Sequence, residues 1–330
     1  MTDQPIATII VPAFNVAATI TETLRSLLVQ TFTNLELIVV DDGSSDETAA
    51  IVRSFSDDRI RMIQQANRGL AGARNTGIAQ ARGRYIAFCD ADDLWLPEKL
   101  ELHIAHLEAR PDVGISFSGS RMIDEKGAPL GISQKPRLKN ITAAHVYKRN
   151  PIGNGSAAVI RREALDGMAY RPMGETQRDW WFDETFRQSD DIEAWLRFAL
   201  TLDWRIEGIP GELTLYRIHS GALSANIARQ YETWLRMSTR MQAISPDFIA
   251  RHGKEAEAYQ LRYLARRAVS MGSGDMASRL AWRAFFMSPR PLIDEPVKTI
   301  VTVAAATLLR LFGRDGYQWA ASRILRQQAA

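Results

Sequence analysis

The chain predicts an α/β fold: a mostly parallel, Rossmann-like central sheet flanked by helices, followed by a C-terminal helical extension. Three observations carry this. Short β-branched runs alternate with amphipathic helical stretches through the first 120 residues. Acid-rich polar turns follow several of those runs. From residue 227 onward the pattern is helical, broken only at prolines and glycines.

Ala7-Thr8-Ile9-Ile10-Val11 reads as a buried strand stopped by Pro12. Residues 19–30 then place Ile20, Leu24, Leu27 and Leu28 at helical spacing, with Thr19 or Thr21 able to cap. Residues 35–40 form a second strand, and Asp46 caps a helix over 47–55. A third strand at 59–64, a helix at 72–81, a fourth strand at 85–89, a helix at 97–110 and a fifth strand at 113–118 continue the rhythm. After residue 125 it loosens. Residues 126–139 read as a polar loop, 155–160 as a strand, 161–165 as the start of a short helix and 191–202 as a strong helix. Two separate strands are expected at 204–209 and 213–218. The expected division is a domain over 1–225, in halves 1–120 and 121–225, and a helical region over 226–330.

The 46% hydrophobic and 24% charged content is that of an ordinary globular chain, excluding collagen-like, low-complexity and wholly disordered classes. The single cysteine, Cys89, excludes a disulfide framework and multi-cysteine metal sites, and its apolar neighbours make it a buried small hydrophobe. The N-terminus has no basic segment ahead of an apolar run, so no signal peptide is expected. No uninterrupted apolar run reaches spanning length, so no membrane span and a cytoplasmic location are expected. The apolar stretch 299–312, bounded by Lys298 and Arg310, is expected to pack on the body or lie in a membrane interface. Residues 230–330 carry 15 Lys and Arg against 8 Asp and Glu, and the remainder 26 against 30. A basic tail on an acidic body is compatible with an anionic membrane surface or with a solvated helical appendage. No nucleic-acid partner is expected.

Ligands of open α/β sheets bind beyond the carboxyl ends of the strands. Here those ends carry Pro12-Ala13-Phe14-Asn15, Asp41-Asp42-Gly43-Ser44 and Asp90-Ala91-Asp92-Asp93. Clustered carboxylates need a cation or specific donors to stay ionised. Oxygen ligands suit Mg²⁺ or Mn²⁺, which complete their shells with water and phosphate. The glycine fingerprints of dinucleotide and P-loop sites are absent, so diphosphate charge must be met by metal and side chains. Arg68, Arg74 and Asn75, in a glycine-containing stretch, are candidate donors; an internal salt bridge to the acidic rim is the alternative for Arg74.

The ordered motifs Ile10-Val11-Pro12-Ala13-Phe14-Asn15, Val39-Val40-Asp41-Asp42-Gly43-Ser44, Asn67-Arg68-Gly69 with Ala73-Arg74-Asn75, Asp90-Ala91-Asp92-Asp93, Asp190-Asp191 with Trp195-Leu196-Arg197, and Tyr216-Arg217-Ile218-His219 resemble those of family 2 inverting glycosyltransferases of the GT-A fold. The resemblance covers about residues 6–225 and casts 1–120 as the nucleotide-sugar-binding half and 121–225 as the acceptor-side half. It implies metal-dependent, non-processive transfer from a nucleoside-diphosphate sugar, a UDP-sugar in expectation, to a hydroxyl of a glycan or lipid-linked acceptor. By the same resemblance Pro12, Phe14, Asn15, Asp41 and Asp42 receive the nucleoside, with Asp42 the base contact. Arg68, Arg74 and the DxD residues Asp90, Ala91 and Asp92 meet the diphosphate and metal, with Asp92 the direct ligand and His219 approaching the metal. Asp191 is the expected base and Asp190 its alternate; the family's usual Glu-Asp is shortened here to Asp-Asp. Trp180, Trp181 and Trp195 either stack on sugars or belong to the core, and Gly153-Asn154-Gly155-Ser156 borders the acceptor side. A processive synthase would need spans and a QxxRW motif, which Gln177-Arg178-Asp179-Trp180 does not supply. A sugar nucleotidyltransferase would need a glycine-rich, arginine-bearing N-terminal loop, and a non-catalytic carbohydrate-binding protein would have lost acids that are present.

Overall fold

Aliphatic and β-branched runs form the centre of the sheet because their strands are covered on both faces. The computed structural model describes residues 4–218 and 227–328, with side chains described through 317. In chain order the first elements are β1 (Ala7–Ala13), α1 (Ile20–Leu28), β2 (Leu35–Asp41), α2 (Thr48–Arg53), β3 (Ile60–Gln64), α3 (Gly69–Gln80) and β4 (Tyr85–Phe88). β1, β2 and β4 are buried at every position. β1 pairs in parallel with β2 and β4, and β2 with β3, so the ends carrying Asn15, Asp41-Asp42 and Asp90 share one edge.

The next elements are β5 (Leu94–Trp95), α4 (Lys99–Ala109), β6 (Val113–Ile123), β7 (Pro129–Gln134), α5 (Ala143–Lys148), β8 (Ala158–Arg161), α6 (Arg162–Asp166), α7 (Asp190–Thr201) and β9 (Arg205–Arg217). The nine-stranded sheet has the order β3-β2-β1-β4-β8-β6-β9-β5, with β7 added on β6. Here it turns from parallel to mixed. A single 3-10 turn at Gly155–Ala157 feeds β8 directly from the acidic edge. Entering from that edge, β8 runs antiparallel to both β4 and β6.

Two expectations fail in this half. Residues 129–134, expected as loop, form the exposed strand β7, whose Pro129 and Gly131 hide it from propensity. The two strands expected at 204–209 and 213–218 are one, β9, which passes through Pro210 and Gly211. Its register against β6 shifts near Gly119, and Gly211 adopts φ +113°, so the apparent break is an irregularity within a strand.

Ile9, Val11, Leu24, Leu37, Leu100 and Leu107 belong to the main core. Cys89 lies within it, fully buried, and burial pushes its thiol well up, as expected of an inert hydrophobe.

The chain divides into two compact units, Met1–Val146 with Asn150–Ala222, and Tyr147–Arg149 with Leu223–Ala330. The second is built from α8 (Ile227–Ile244), α9 (Pro246–Ser270), α10 (Gly274–Met287), α11 (Arg290–Asp294) and α12 (Pro296–Gln328). Small side chains form much of its seam: Ala265, Ala268, Ala277, Ala281 and Ala306 pack with Leu264. At Gly274 an added Cβ would meet the Arg310 backbone at 2.6 Å, so only glycine admits this approach of α10 and α12.

Among the described residues, the Pro296–Tyr317 stretch of α12 is long and apolar enough to cross a membrane by length and composition, and 22% of its most apolar window is buried. The charges at Lys298 and Arg310 had bounded the apolar run; the helix continues through both but breaks at Gly313, whose φ of +67° and ψ of −171° are not helical.

Candidate active site

Asp90, Ala91, Asp92 and Asp93 form the turn after β4, and a buried frame sets its shape. Asp93 is fully buried. Its carboxylate accepts from Ser156 Oγ at 2.6 Å and from the Arg217 amide at 2.9 Å. Burial, with the nearby charges of Asp92 and Asp90, raises its pKa well above the usual range. Ser156 Oγ in turn accepts from the Asp90 amide at 2.9 Å. The Arg217 guanidinium, also buried, donates to the Asp92 carbonyl at 2.8 Å, the Glu125 carbonyl at 3.0 Å and Glu22 at 2.8 Å. Behind the turn, buried Lys99 donates to the Ala157 carbonyl at 2.9 Å, and burial draws its ammonium down to about 7. Asp93 and Arg217 thus fasten the turn, while Asp90 and Asp92 remain partly exposed on it.

Arg74 joins this turn to the start of α7. Its guanidinium donates to Asp90 Oδ1 at 2.8 Å and to Asp190 Oδ2 at 2.7 Å, lying over the rings of Phe88 and Phe182. The two carboxylates outweigh burial and hold the arginine protonated. At Gly155 a Cβ would meet Arg74 Nη2 at 2.2 Å, so the 153–156 loop lies directly on the pair because it is glycine. The salt-bridge alternative for Arg74 is the observed geometry, and the cause is local. Arg74 and Asn75 lie on the buried face of α3, which begins at Gly69 rather than residue 72. Asn75, expected as a phosphate donor, is likewise engaged. It donates to the Phe182 carbonyl at 2.7 Å and accepts from the Trp181 and Phe182 amides. Arg68, more exposed, donates to Glu184 at 2.7 Å, Glu175 at 2.6 Å and Gln177 at 2.8 Å.

Asp190 and Asp191 open α7, after Ser189 at φ +58°. Asp190 is buried against Arg74. Asp191 is half-buried and accepts a 3.2 Å hydrogen bond from Asn150 Nδ2. Burial and the negative charge of Asp190 outweigh the attraction of Arg74 and push the Asp191 carboxyl up to about 6. Further along α7, Arg197 pairs with Glu193 and donates to the Met168 and Trp181 carbonyls, binding the irregular 168–189 segment to the helix. Trp181 and Trp195 are core residues. Trp180 is half-buried, and its indole donates to Glu175 at 2.9 Å.

At the ends of β1 and β2, Pro12 is buried and Phe14 is 50% exposed. Asn15 adopts φ +53° and accepts from the Ser45 amide at 2.8 Å. Asp41 accepts one hydrogen bond on each oxygen, from the Ser44 amide and from Gln64. Burial opposes ionisation there, but these bonds win and hold the carboxyl below its usual range. Asp42 accepts from Gln65, from the Arg68 amide at 2.8 Å and from the Gly69 amide at 2.8 Å. It therefore satisfies orphan amides at the start of α3. His219 lies outside the described residues.

The residues that sequence reasoning missed or undervalued are Asn150, Ser156, Glu184 and, as a fastener, Arg217. Arg217 carried a signal in the last quoted motif, and Ser156 in the Gly153-Asn154-Gly155-Ser156 stretch expected to border the acceptor side. Among the described residues no three His, Cys, Asp or Glu side chains form a metal-holding group. The donor set at the turn is two partly exposed carboxylates, Asp90 and Asp92. That set fits a hard divalent cation that keeps water and borrows phosphate oxygens, and does not fit an all-protein cage.

A mixed sheet with acids gathered beyond the carboxyl ends of its strands has the ligand-binding edge of the open α/β class, and comparison with known proteins narrows it. The pattern of Glycosyl transferase family 2 matches residues 8–168. The chain is 30% identical over 241 residues to the Escherichia coli UDP-Glc:alpha-D-GlcNAc-diphosphoundecaprenol beta-1,3-glucosyltransferase WfaP, covering 72% of this chain and 86% of that protein. It is 38% identical over 145 residues to E. coli WfgD, an enzyme of the same printed activity, covering 42% of this chain and 57% of that enzyme's length. Among solved structures, S. aureus TarS superposes with a TM-score of 0.58 at 20% identity, over 92% of this chain and 54% of that one. The mannosyltransferase PcManGT from Pyrobaculum calidifontis, solved with GDP-Man and Mn²⁺, gives 0.57 at 22% identity, over 94% and 88%. The protein belongs to glycosyltransferase family 2 and has the GT-A fold.

Proposed function

We propose that this enzyme transfers one sugar from a UDP-sugar to a hydroxyl of a lipid-linked glycan acceptor, with inversion, in the building of a surface polysaccharide. The observation that carries this reading is the raised carboxyl of Asp191 beside a fixed Arg74 bridge to the Asp90 turn. A carboxyl titrating near 6 is ionised at neutral pH yet basic enough to take a proton. The acceptor oxygen bonds to the anomeric carbon from the face opposite the diphosphate as the bond to the leaving oxygen breaks. The hydroxyl proton passes to Asp191, which Asn150 orients. Asp190 and Arg74 position this base rather than react.

Asp90 and Asp92 would hold Mg²⁺ or Mn²⁺, whose charge would offset that developing on the diphosphate. Phe14 supplies an exposed ring to the nucleoside. Asp41 and Asp42, at the carboxyl end of β2, offer acceptor oxygens to donors on the base. Arg68 meets the diphosphate by leaving its carboxylate partners. The named activities of WfaP and WfgD support a UDP-sugar donor and a diphosphoundecaprenol-linked acceptor. Such an acceptor is consistent with reaction at a membrane surface, for which the cytoplasmic face is our reading.

Thermal denaturation against a panel of nucleotide sugars tests the donor. A UDP-sugar with Mn²⁺ or Mg²⁺ at a hundredfold excess over its Kd should stabilise the fold by about 2.7 kcal/mol. A GDP-sugar stabilising instead, or stabilisation independent of the cation, would refute the assignment.

A further inference from the structure

Helix α10 buries Ala277, Ser278, Ala281 and Ala284 on one face. Its opposite face presents Arg279, Trp282, Arg283 and Phe286, spaced i, i+3, i+4 and i+7. Trp282, Phe285 and Phe286 contact one another, with ring centroids 5.6 to 5.9 Å apart, and all three are exposed, Phe286 by 79%. Phe285 also lines a narrow crevice with Leu292 of α11 and Val303 of α12, which joins this cluster to the next helices. There Ile293, Val297, Ile300 and Val301 are exposed in turn, Val297 by 71%, while Thr299, Thr302 and Ala306 are buried. Large aromatics in mutual contact, open to solvent and continuous with exposed aliphatics, are what a soluble surface normally avoids.

We propose that this face of α10 to α12 docks on an anionic phospholipid bilayer, its aromatic and aliphatic side chains entering the headgroup boundary. Charge selects this occupant. Arg279 and Arg283 share the aromatic face, Arg283 remaining half exposed although bridged to Glu257. The 15 to 8 excess of basic over acidic residues across 230–330 would be drawn to an anionic leaflet. A second copy fits less well, because a two-fold contact would set each arginine pair near its twin. Trp and Phe beside arginine match the boundary between headgroups and acyl chains. The docking stands apart from the donor chemistry, since it is measured with no substrate present.

Flotation of the full chain with phosphatidylcholine vesicles, with and without phosphatidylglycerol, tests it. Binding should require the anionic lipid and weaken with added salt. The exposed double variant Trp282→Ser/Phe286→Ser should reduce the bound fraction about tenfold, and Arg279→Glu should reduce it further at low salt. Unchanged melting temperature and unchanged donor-induced stabilisation in these variants would show that the fold and the transferase site are intact. No flotation of the wild-type chain, equal binding to neutral vesicles, or equal binding by the double variant would overturn the proposal. So would light scattering that finds a dimer which the double variant dissociates.

Discussion

The aspartate pair ending β2 and the pair opening α7 share a dipeptide but not an environment. Asp41 and Asp42 meet neutral donors from amides, glutamine side chains and the Ser44 hydroxyl. Asp190 meets a buried arginine, and Asp191 a 3.2 Å bond from Asn150 and the Ile192 amide. The first environment lowers a carboxyl pKa, as at Asp41, and the second raises it, as at Asp191. Dense neutral hydrogen bonding fixes a carboxylate as a framework element. Sparse bonding beside another negative charge leaves one ready to accept a proton. Identical side chains thus become support in one place and a candidate base in the other.

The comparison breaks most readily at Asp191. Asp191→Asn should lower kcat by roughly 10²- to 10⁴-fold while calorimetry finds donor binding intact. An equal loss of donor affinity would make Asp191 a binding group instead. Next comes Arg74→Met, which strands Asp190 as a buried, uncompensated carboxylate and leaves the partly exposed Asp90 without its arginine. Chemical denaturation should show a loss of ~3–5 kcal/mol. A smaller loss would mean that Asp190 takes up a proton without difficulty. On the other pair, Asp42→Ala should cost ~1–3 kcal/mol in the same assay by leaving the Arg68 and Gly69 amides unpaired. A neutral result would detach Asp42 from the framework.

The pH profile separates the pairs most finely. A base must be ionised, and Asp191 has its pKa raised to about 6. Activity should therefore be flat above that value and fall about tenfold per pH unit below it. Asp41, held below the usual range, should add no limb there. An acid limb that survives Asp191→Asn would assign the titration to another group.

Much of this was readable in the linear chain because its signals are local. Ala7–Ala13, Leu35–Asp41 and Tyr85–Phe88 announce themselves by unbroken apolar runs, and each is followed directly by the residues of the candidate site. Strand β7 and the continuity of β9 were not readable. Pro129, Gly131, Pro210 and Gly211 depress strand propensity, and only pairing with β6 restores it. The reach of α12 was obscured in the same way, since Lys298 and Arg310 interrupt composition without interrupting the helix.

From sequence alone came the α/β class, the acidic edge and the family, because strand burial and motif order are written in consecutive residues. Only tertiary structure decided what each acid meets. Arg74 lies 116 positions from Asp190, Asp93 lies 124 from Arg217, and Asn150 lies 41 from Asp191. A carboxylate's chemistry depends on the charges, donors and burial within a few ångströms, and those neighbours are assembled by folding.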